Sequence, residues 1–272
     1  MENLSNENSL PGHVAKRLTE EEFERMLAQD SRLVSEFQAK QLENEAKKHW
    51  DLFYKRNETK FFKDRHWTTR EFEELLDSTN TGERSILEVG CGVGNLIYPL
   101  IEDGLKFKKI FACDLSPRAI DYVKQHSLFD PEKIKAFQAD ITLDSCFTEI
   151  NEKVDLATLV FVLSAIHPQK FHSVAKHLYD VMSTNGVVLF RDYGLYDMAQ
   201  LRFKPGHKIA ENFYMRQDGT RSYYFSTEEV EQIFNSVGFK SVSCSYVQRR
   251  TVNLKEHIDV PRIFVQAKFK KP

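Results

Sequence analysis

The sequence predicts an α/β domain built on a doubly wound, seven-stranded, mostly parallel β-sheet, preceded by a helical N-terminal extension. Three observations predict this fold. From residue 84 onward, short apolar runs alternate with helix-like segments, which is the rhythm of strand-helix-strand units. The first apolar run leads directly into a loop with three glycines, and the last two strand-like runs follow each other without an intervening helix.

The elements of the predicted domain follow in order along the chain. Helix-like segments separate five strands, expected at residues 85–89, 109–113, 134–138, 154–161 and 187–191. Between the aromatic-rich arms of residues 213–225, the sequence Gln217-Asp-Gly-Thr220 predicts a β-hairpin. A helix over 227–237 is expected to end at Gly238, and strands at 240–250 and 261–269 close the sheet as an antiparallel pair.

The N-terminal part is predicted to be helical after a short tail. Residues 1–18 are expected to be a disordered tail, and Thr19-Glu-Glu-Glu22 is a capping box that starts a helix. A second amphipathic helix is expected from Ser31 to about Arg56, with Trp50 and Tyr54 on one face because they are four residues apart. The predicted organisation is a tail (1–18), an extension that covers cofactor and RNA (19–80) and a catalytic domain (81–272).

Length and composition limit the classes of protein to which the chain can belong. At 272 residues and 41% apolar content, the chain can bury a full core without disulfides or a metal. The four cysteines have no metal-ligand spacing, no apolar run reaches eighteen residues, and the first twelve residues do not resemble a targeting peptide. We therefore expect no membrane contact and a cytoplasmic location, with the nucleus as an additional location.

The net charge of −2 excludes a protein that binds nucleic acid over its whole surface, and no DNA partner is expected, but the charge is uneven. Residues 202–272 carry 13 basic and 7 acidic groups, and residues 47–70 carry eight basic and three acidic groups among several aromatic residues. Cations for phosphates and aromatic rings for unstacked bases are typical of a single-stranded RNA site. The alternative is that these aromatic residues are core and the charges a solvated surface.

The glycine loop indicates the ligand. Gly90, Gly92 and Gly94 have the spacing Gly-x-Gly-x-Gly, which differs from the Gly-x-Gly-x-x-Gly of dinucleotide sites. Glu88 precedes the first glycine by two residues. A carboxylate there would repel a pyrophosphate but would suit the ammonium group of S-adenosylmethionine, whereas the alternative is an ordinary strand-to-helix turn.

Two further acids follow the next strands. Asp114 ends the second strand, where a carboxylate can accept from both ribose hydroxyls. Asp140 follows the third strand and could accept from the adenine amino group, while Ile141 offers its backbone N–H and an apolar face to the ring. Three acids at successive strand ends resemble the class I (Rossmann-like) S-adenosylmethionine-dependent methyltransferases over residues 84–270.

Longer motifs indicate a narrower family. Five segments, His49-Trp-Asp-Leu-Phe-Tyr-Lys-Arg-Asn57, Phe61-Phe-Lys-Asp-Arg-His-Trp67, Phe161-Val-Leu-Ser-Ala-Ile-His167, Phe190-Arg-Asp-Tyr-Gly194 and Arg216-Gln-Asp-Gly-Thr-Arg221, resemble those of the eukaryotic tRNA 3-methylcytidine methyltransferases. The resemblance covers residues 30–270 and is closest to the member that acts on serine tRNA. It implies methylation of ring N3 of cytidine 32 in the anticodon loop, with seryl-tRNA synthetase as a partner.

This chemistry asks for few catalytic groups. Ring N3 of an unpaired cytosine has a free lone pair at neutral pH, so the enzyme mainly has to align it with the methyl group. Methylation leaves the base cationic, and Asp192, just past the fifth strand, is the candidate carboxylate to stabilise that charge. Its alternative role is that of a turn or capping residue.

The family resemblance implies the remaining roles. It places Phe62 against the flipped base and Arg65 and Arg262 on its carbonyl or on the flanking phosphates. It also makes Trp50 and Tyr54, and Val160 at the end of the fourth strand, contacts of the cofactor. We assign no catalytic role to His66 or His167.

Two other functions stay open at this point. The chain could be a methyltransferase that acts on a protein or a small molecule, or an inactive fold kept as a scaffold that binds RNA or a synthetase. The basic aromatic stretch at 47–70 favours RNA over the first of these. The intact set of Glu88, Gly90, Asp114 and Asp140 argues against the second.

Overall fold

The computed structural model describes residues 12–61, 64–76, 82–253 and 258–272. The strands are β1 (Ser85–Val89), β2 (Lys109–Asp114), β3 (Ile134–Gln138), β4 (Val154–Val160), β5 (Met182–Tyr193), β6 (Lys208–Ala210), β7 (Phe213–Met215), β8 (Arg221–Tyr223), β9 (Lys240–Asn253) and β10 (Ile258–Lys270). The α-helices are α1 (Glu20–Asp30), α2 (Glu36–Asn44), α3 (Ala46–Asn57), α4 (Thr68–Glu71), α5 (Ile97–Glu102), α6 (Pro117–Gln125), α7 (Phe171–Val181), α8 (Met198–Leu201) and α9 (Thr227–Asn235). Short 3₁₀ helices cover Glu73–Leu75, Leu163–Ala165 and Pro168–Lys170.

The main sheet confirms the predicted fold class. It has seven strands in the order β3-β2-β1-β4-β5-β10-β9, and the strand order reverses beside β1. Strands β1 to β5 are parallel, whereas β10 is antiparallel to both β5 and β9. Val89 pairs with Cys113 on one side and with Leu159 on the other, so the carboxyl ends of β1, β2 and β4 meet at one edge. Ligands of open α/β sheets bind at such a reversal point.

Each face of the sheet buries its own layer of helices, as a doubly wound fold requires. Successive side chains of a strand point to opposite faces, and Ile86 and Leu87 accordingly join different core clusters. Helices α5 and α6 cover the face of Ile86, and helices α7 and α9 cover the face of Leu87.

The N-terminal helices agree with the prediction at their start and differ further on. Thr19 and Glu22 form the predicted capping box of α1. The prediction of a single helix from Ser31 to Arg56 is wrong, because α2 and α3 are separate helices joined at Glu45. Ser35 caps α2, and each helix buries a different side chain, Leu42 in α2 and Phe53 in α3. The bend therefore lets two short helices dock on two surfaces.

The N-terminal tail and the hairpin region can also be compared with the predictions. Residues 1–11 of the predicted tail lie outside the described residues, while Gly12 accepts a hydrogen bond from the backbone N–H of Tyr246. The predicted hairpin forms as β7 and β8, and β6, which was not predicted, adds a third antiparallel strand. Within the described ranges, no helix combines the length and the apolar character needed to span a bilayer.

Candidate active site

A cleft opens at the carboxyl edge of the sheet, where the strand order reverses. Residues that follow five successive parallel strands line it: Gly90 after β1, Asp114 at the end of β2, Asp140 after β3, Phe161 after β4 and Tyr193 at the end of β5. Its empty space, including the part open to solvent, is about 1160 Å³.

The glycine loop presents bare backbone to this cleft. Gly90 has a φ of 62°, and a Cβ atom added there would lie 2.3 Å from a methyl carbon of Val162. A Cβ atom on Gly92, whose φ is 55°, would lie 2.9 Å from the Tyr54 hydroxyl oxygen. The loop therefore needs glycine both for its backbone angles and for the close approach of its neighbours.

Helix α3 lies over the loop and is fixed there by one carboxylate. Asp51 accepts from the Ser116 hydroxyl at 2.9 Å and from the backbone N–H of Arg118 at 3.3 Å, at the start of α6. An acid at a helix N-terminus meets unpaired N–H groups and the positive end of the helix dipole. This contact places Trp50 and Tyr54 in the lining of the cleft.

Asp114 is the buried acid at the centre of the loop. Its side chain accepts from the backbone N–H groups of Gly92 and Ser116, each at 2.9 Å. Burial raises the pKa of Asp114 to about 6, while these two N–H groups act in the opposite direction. Each carboxylate oxygen can accept more than one hydrogen bond, so the side chain can still accept from a ligand.

Asp140 and Ile141 form the next part of the wall. One oxygen of Asp140 accepts from the backbone N–H and the hydroxyl of Thr142, at 3.0 and 2.8 Å. The carbonyl of Ile141 contacts a ring nitrogen of His177 at 3.0 Å. Both residues line the cleft, in the order in which the sequence places them after β3.

The Glu88 side chain contacts the protein's own backbone. Its carboxylate is buried beneath the glycine loop and accepts from the backbone N–H of Ile97, at 3.2 Å, near the start of α5. Burial raises the pKa of Glu88 to about 8, against the nearby charge of Arg65. Among the described residues that line the cleft, Glu88 is absent.

Arg65 and Val160 are joined to each other. The Arg65 guanidinium donates to the carbonyl of Val160 at 3.2 Å and lies 5.7 Å from the ring centroid of Phe161. The backbone N–H of Arg65 donates to the carbonyl of Asn95 at 2.7 Å. Arg65 lines the cleft, whereas the buried Val160 lies behind it.

Asp192 lies beneath the other end of the cleft. Its two oxygens accept from the backbone N–H groups of Ser164 and Tyr193, each at 2.9 Å, and its side chain is fully buried. Burial raises the pKa of Asp192 to about 6. Ser164 and Tyr193 line the cleft, so the carboxylate is one residue removed from its surface.

Two residues with predicted substrate roles, Arg262 and Phe62, are not among the described residues that line the cleft. The Nε atom of Arg262 donates to both oxygens of Asp197, at 2.9 and 3.1 Å, and the buried Asp197 also caps α8. Arg262 lies outside the described lining of the cleft, but its Cζ atom is 5.8 Å from the ring centroid of Tyr193, which lines it, so the substrate role of Arg262 stays a prediction. Phe62 lies outside the described residues.

Sequence reasoning gave no role to several residues at this end of the cleft. Tyr193 and Phe161 have ring centroids 5.1 Å apart, and Phe161 has a φ of 60°, which is rare for an aromatic residue. Glu43 of α2 forms ion pairs with Lys170 and Arg221 across the mouth. Arg216 and Arg221 belong to the 216–221 motif that resembles the family, so the sequence could have indicated them. The positive φ of Phe161 could not be predicted from the sequence.

In the described part of the basic stretch at 47–70, buried aromatic residues lie beneath exposed charges, as the alternative interpretation expects, and one aromatic ring is exposed; the RNA site stays a prediction. Phe53 and Tyr54 are buried and therefore core, whereas Phe61 is 59% exposed. The exposed cations are Lys47, Lys48, Lys55, Arg56, Lys60 and Arg70. The stretch is thus a basic surface over an aromatic core, beside the mouth of the cleft.

Comparisons with known proteins agree with this site. A family model described as "Methyltransferase domain" matches residues 54–244. The chain is 54% identical over 259 residues to the tRNA N(3)-cytidine methyltransferase METTL6 of Mus musculus, covering 94% of this chain and 92% of that protein. It is 43% identical to the tRNA N(3)-methylcytidine methyltransferase trm141 of Schizosaccharomyces pombe, covering 88% and 97%.

A solved structure supports the fold. The SAM-dependent methyltransferase of Anabaena variabilis matches with a TM-score of 0.61 and 13% identity, over 84% of this chain and 95% of that one. At that identity the likeness shows the fold alone. The relatives, the family model and the cleft together show that the chain is an S-adenosylmethionine-dependent enzyme of the tRNA N(3)-cytidine methyltransferase family.

Proposed function

We propose that this enzyme transfers a methyl group from S-adenosylmethionine to ring N3 of cytidine 32 in the anticodon loop of serine tRNA. The observation that carries the proposal is one continuous cleft with two chemically different ends. Asp114 and Asp140 line one end, and the other is lined by Tyr193 and Arg216 above the buried Asp192. The membership of the family then favours a cytidine of tRNA as the substrate.

The first end suits the adenosyl part of the cofactor. Bound S-adenosylmethionine would supply an electrophilic methyl group. We assign Asp114 to the ribose hydroxyls and Asp140, with the Ile141 backbone, to the adenine edge, because these groups follow β2 and β3 and line the cleft. Trp50 and Tyr54 would cover the methionine part from α3. The bare glycine loop, which any Cβ atom would obstruct, supports this placement.

The second end suits a flipped base. Cytosine reaches a buried group only when it is unpaired and turned out of its stack, which an anticodon loop permits. Asp192 can stabilise the positive charge that develops on the ring, since a carboxylate in a buried site acts more strongly than one in water. Its contacts with Ser164 and Tyr193 hold it at a fixed depth.

The chemistry of the product tests this function. We expect tRNA incubated with the purified protein and S-adenosylmethionine to yield 3-methylcytidine on digestion to nucleosides and mass spectrometry. A second tRNA sample without the protein controls for existing modification. Methylation of another nucleoside, or of a protein or small molecule instead of tRNA, would replace the proposal with the alternative methyltransferase. No transfer at all would favour the inactive scaffold.

The pH dependence of cofactor binding is a further prediction. In the free protein the pKa of Asp114 is raised to about 6, so the group binds a proton below that pH. Hydrogen bonds from ribose hydroxyls favour the ionised form, so binding releases the proton and the affinity falls with falling pH, by up to about tenfold per pH unit. Calorimetry from about pH 7.5 to about pH 5 measures this.

The same titration of the Asp114→Asn variant is the control, because that side chain cannot ionise. Its affinity is expected to lack the step near pH 6. An equal step in both proteins would show that another group causes it.

We also propose that seryl-tRNA synthetase assists the enzyme. The net charge of −2 and one basic surface offer few phosphate contacts, and affinity from such contacts falls steeply with salt. A synthetase bound to the same tRNA would raise the effective concentration of the anticodon loop. We expect the methylation rate on serine tRNA at near-physiological salt to rise when the synthetase is added. Equal rates, with no co-elution of the two proteins and tRNA, would contradict this.

A further inference from the structure

Arg216 lines the cleft, and the proposed function assigns no contact with cofactor or base to its cationic side chain. Of the other basic residues in the lining, Lys170 and Arg221 pair with Glu43, and Arg65 donates to a backbone carbonyl. Arg216 is half-buried, and in the part of the chain that the structure describes it forms no ion pair with a carboxylate. Its Cζ atom lies 5.2 Å from the ring centroid of Tyr193. The guanidinium also has a side-chain hydrogen bond with Tyr193, but it carries five N–H donors, and donors withdrawn from water need further acceptors.

The surrounding contacts fix where this guanidinium lies. Arg216 follows β7, and its backbone N–H donates to the carbonyl of Thr220 at 2.8 Å, which closes the turn of the hairpin. Asp218 accepts from the backbone N–H and the hydroxyl of Thr220, at 2.9 and 2.7 Å. A rigid turn therefore holds Arg216 beside Tyr193, the residue that follows Asp192.

Arg216 thus lines the cleft close enough to the buried Asp192 to affect its carboxyl group. The positive charge of Arg216 acts to lower the pKa of Asp192, against the burial that raises it. A ligand at this end of the cleft meets the donors of Arg216, with the Asp192 carboxylate buried behind Ser164 and Tyr193. Of the two cations that pair with Glu43 at the mouth, Lys170 has 43% of its side chain accessible and Arg221 has 6%.

We propose that Arg216 donates hydrogen bonds to the O2 carbonyl of the flipped cytosine and is a specificity-determining residue of the reaction. The inference rests on the proposed function. In cytosine, N3 lies between the O2 acceptor and the N4 amino donor. With the Arg216 donors on O2, the ring is held at the atom next to N3, and the N3 lone pair stays free to accept the methyl group. The sugar and phosphates then stay at the mouth.

The groups at the O2 and N3 positions of a base explain which bases are rejected. Adenine offers a C–H group where cytosine has O2, so the Arg216 donors would stay unpaired. Uracil keeps O2, but its N3 carries a proton and therefore has no free lone pair to accept the methyl group. A site with buried polar groups discriminates strongly against a ligand that leaves them unpaired.

The test combines a change in the protein with a change in one atom of the base. Serine tRNA is assembled with either cytidine or 2-thiocytidine at position 32, because sulfur is a weak acceptor. Single-turnover methylation is measured with the wild type, Arg216→Met and Arg216→Lys, and with Arg202→Gln as a control on an exposed arginine. Losing a charged hydrogen bond is expected to slow Arg216→Met on cytidine by about 10- to 150-fold.

The coupling between the two changes decides the outcome. We expect 2-thiocytidine to slow the wild type but to have little further effect on Arg216→Met, while Arg216→Lys is intermediate and Arg202→Gln behaves as wild type. Fully independent effects would overturn the proposal. So would coupling of Arg216→Met to a neutral methylphosphonate beside position 32 in place of the thio base, since the guanidinium would then bind phosphate.

Two measurements separate this proposal from folding and from the proposed function. Unchanged thermal unfolding and S-adenosylmethionine affinity in Arg216→Met exclude a structural effect. Binding of the two tRNAs in the presence of S-adenosylhomocysteine gives the same coupling without turnover. A wild type that binds but does not methylate would therefore contradict the proposed reaction, while the coupling in binding would still decide the role of Arg216.

Discussion

Replacing Asp114 with alanine is expected to weaken S-adenosylmethionine binding by on the order of 30- to 1000-fold, since two charge-assisted hydrogen bonds to the ribose are worth about 2 to 4 kcal/mol. The side chain also accepts from the N–H groups of Gly92 and Ser116, so the substitution loosens the glycine loop itself. Both effects act in the same direction. Isothermal calorimetry measures the loss directly.

A matched control separates the loss of this carboxylate from the loss of any turn-forming aspartate. Asp130 accepts from the backbone N–H of Glu132 at 3.0 Å, before β3 and therefore at the opposite end of the sheet. We expect Asp130→Ala to leave cofactor affinity unchanged. If Asp114→Ala binds the cofactor as tightly as the wild type, the assignment of the ribose site is wrong.

The second large effect is expected at Asp192. Asp192→Asn should slow methyl transfer by about 100-fold while S-adenosylmethionine affinity is kept, because removing one preorganised electrostatic group from a buried site costs on the order of 2.7 to 4 kcal/mol. The carboxylate acts on the charge of the methylated base and lies at the far end of the cleft from Asp114. Single-turnover rates with saturating cofactor measure the effect.

Asparagine at this position also removes an acceptor from one of two backbone N–H groups, so stability must be controlled. Asp155 gives a comparable case at the other end of β4, where its carboxylate accepts from the Ser85 N–H at 2.9 Å and the Ser183 hydroxyl at 2.8 Å. Asp155→Asn is expected to lower the unfolding temperature with little change in the rate. Near wild-type transfer by Asp192→Asn would place the charge-stabilising group elsewhere.

The strand-end acids could be found from the sequence because their positions depend on local patterns. Each follows a short apolar run, and in a parallel sheet the carboxyl ends of neighbouring strands meet at one edge. Asp114 and Asp140 therefore lie together in the cleft without any knowledge of long-range contacts. The same reasoning located the hairpin, whose turn residues are specific to that conformation.

The orientation of individual side chains could not be found in this way. Arg262 pairs with Asp197, 65 residues away, and Glu88 accepts from Ile97 beneath the loop that it was expected to serve. Both contacts depend on the packing of distant elements. Periodicity and spacing report which edge of the sheet a residue occupies, but not which partner it meets there.

The break between α2 and α3 has a similar cause. The amphipathic pattern from Ser31 to Arg56 suits one helix, yet the chain turns at Glu45 so that Glu43 reaches Lys170 and Arg221. Tertiary contacts outweigh a helix propensity that amounts to a few tenths of a kcal/mol per residue, about the size of the difference between ordinary residues.

The proposed reaction of the cleft is methylation of ring N3 of one cytidine in tRNA. Its most direct measurement uses S-adenosylmethionine with an isotopically labelled methyl group and two serine tRNAs, one with cytidine and one with uridine at position 32. Fragments that contain this position are analysed by mass spectrometry. We expect labelled 3-methylcytidine in the tRNA with cytidine at position 32 and no label in the tRNA with uridine there. Equal labelling of both tRNAs, or a labelled methyl group on N4 or C5 of cytidine, would contradict it.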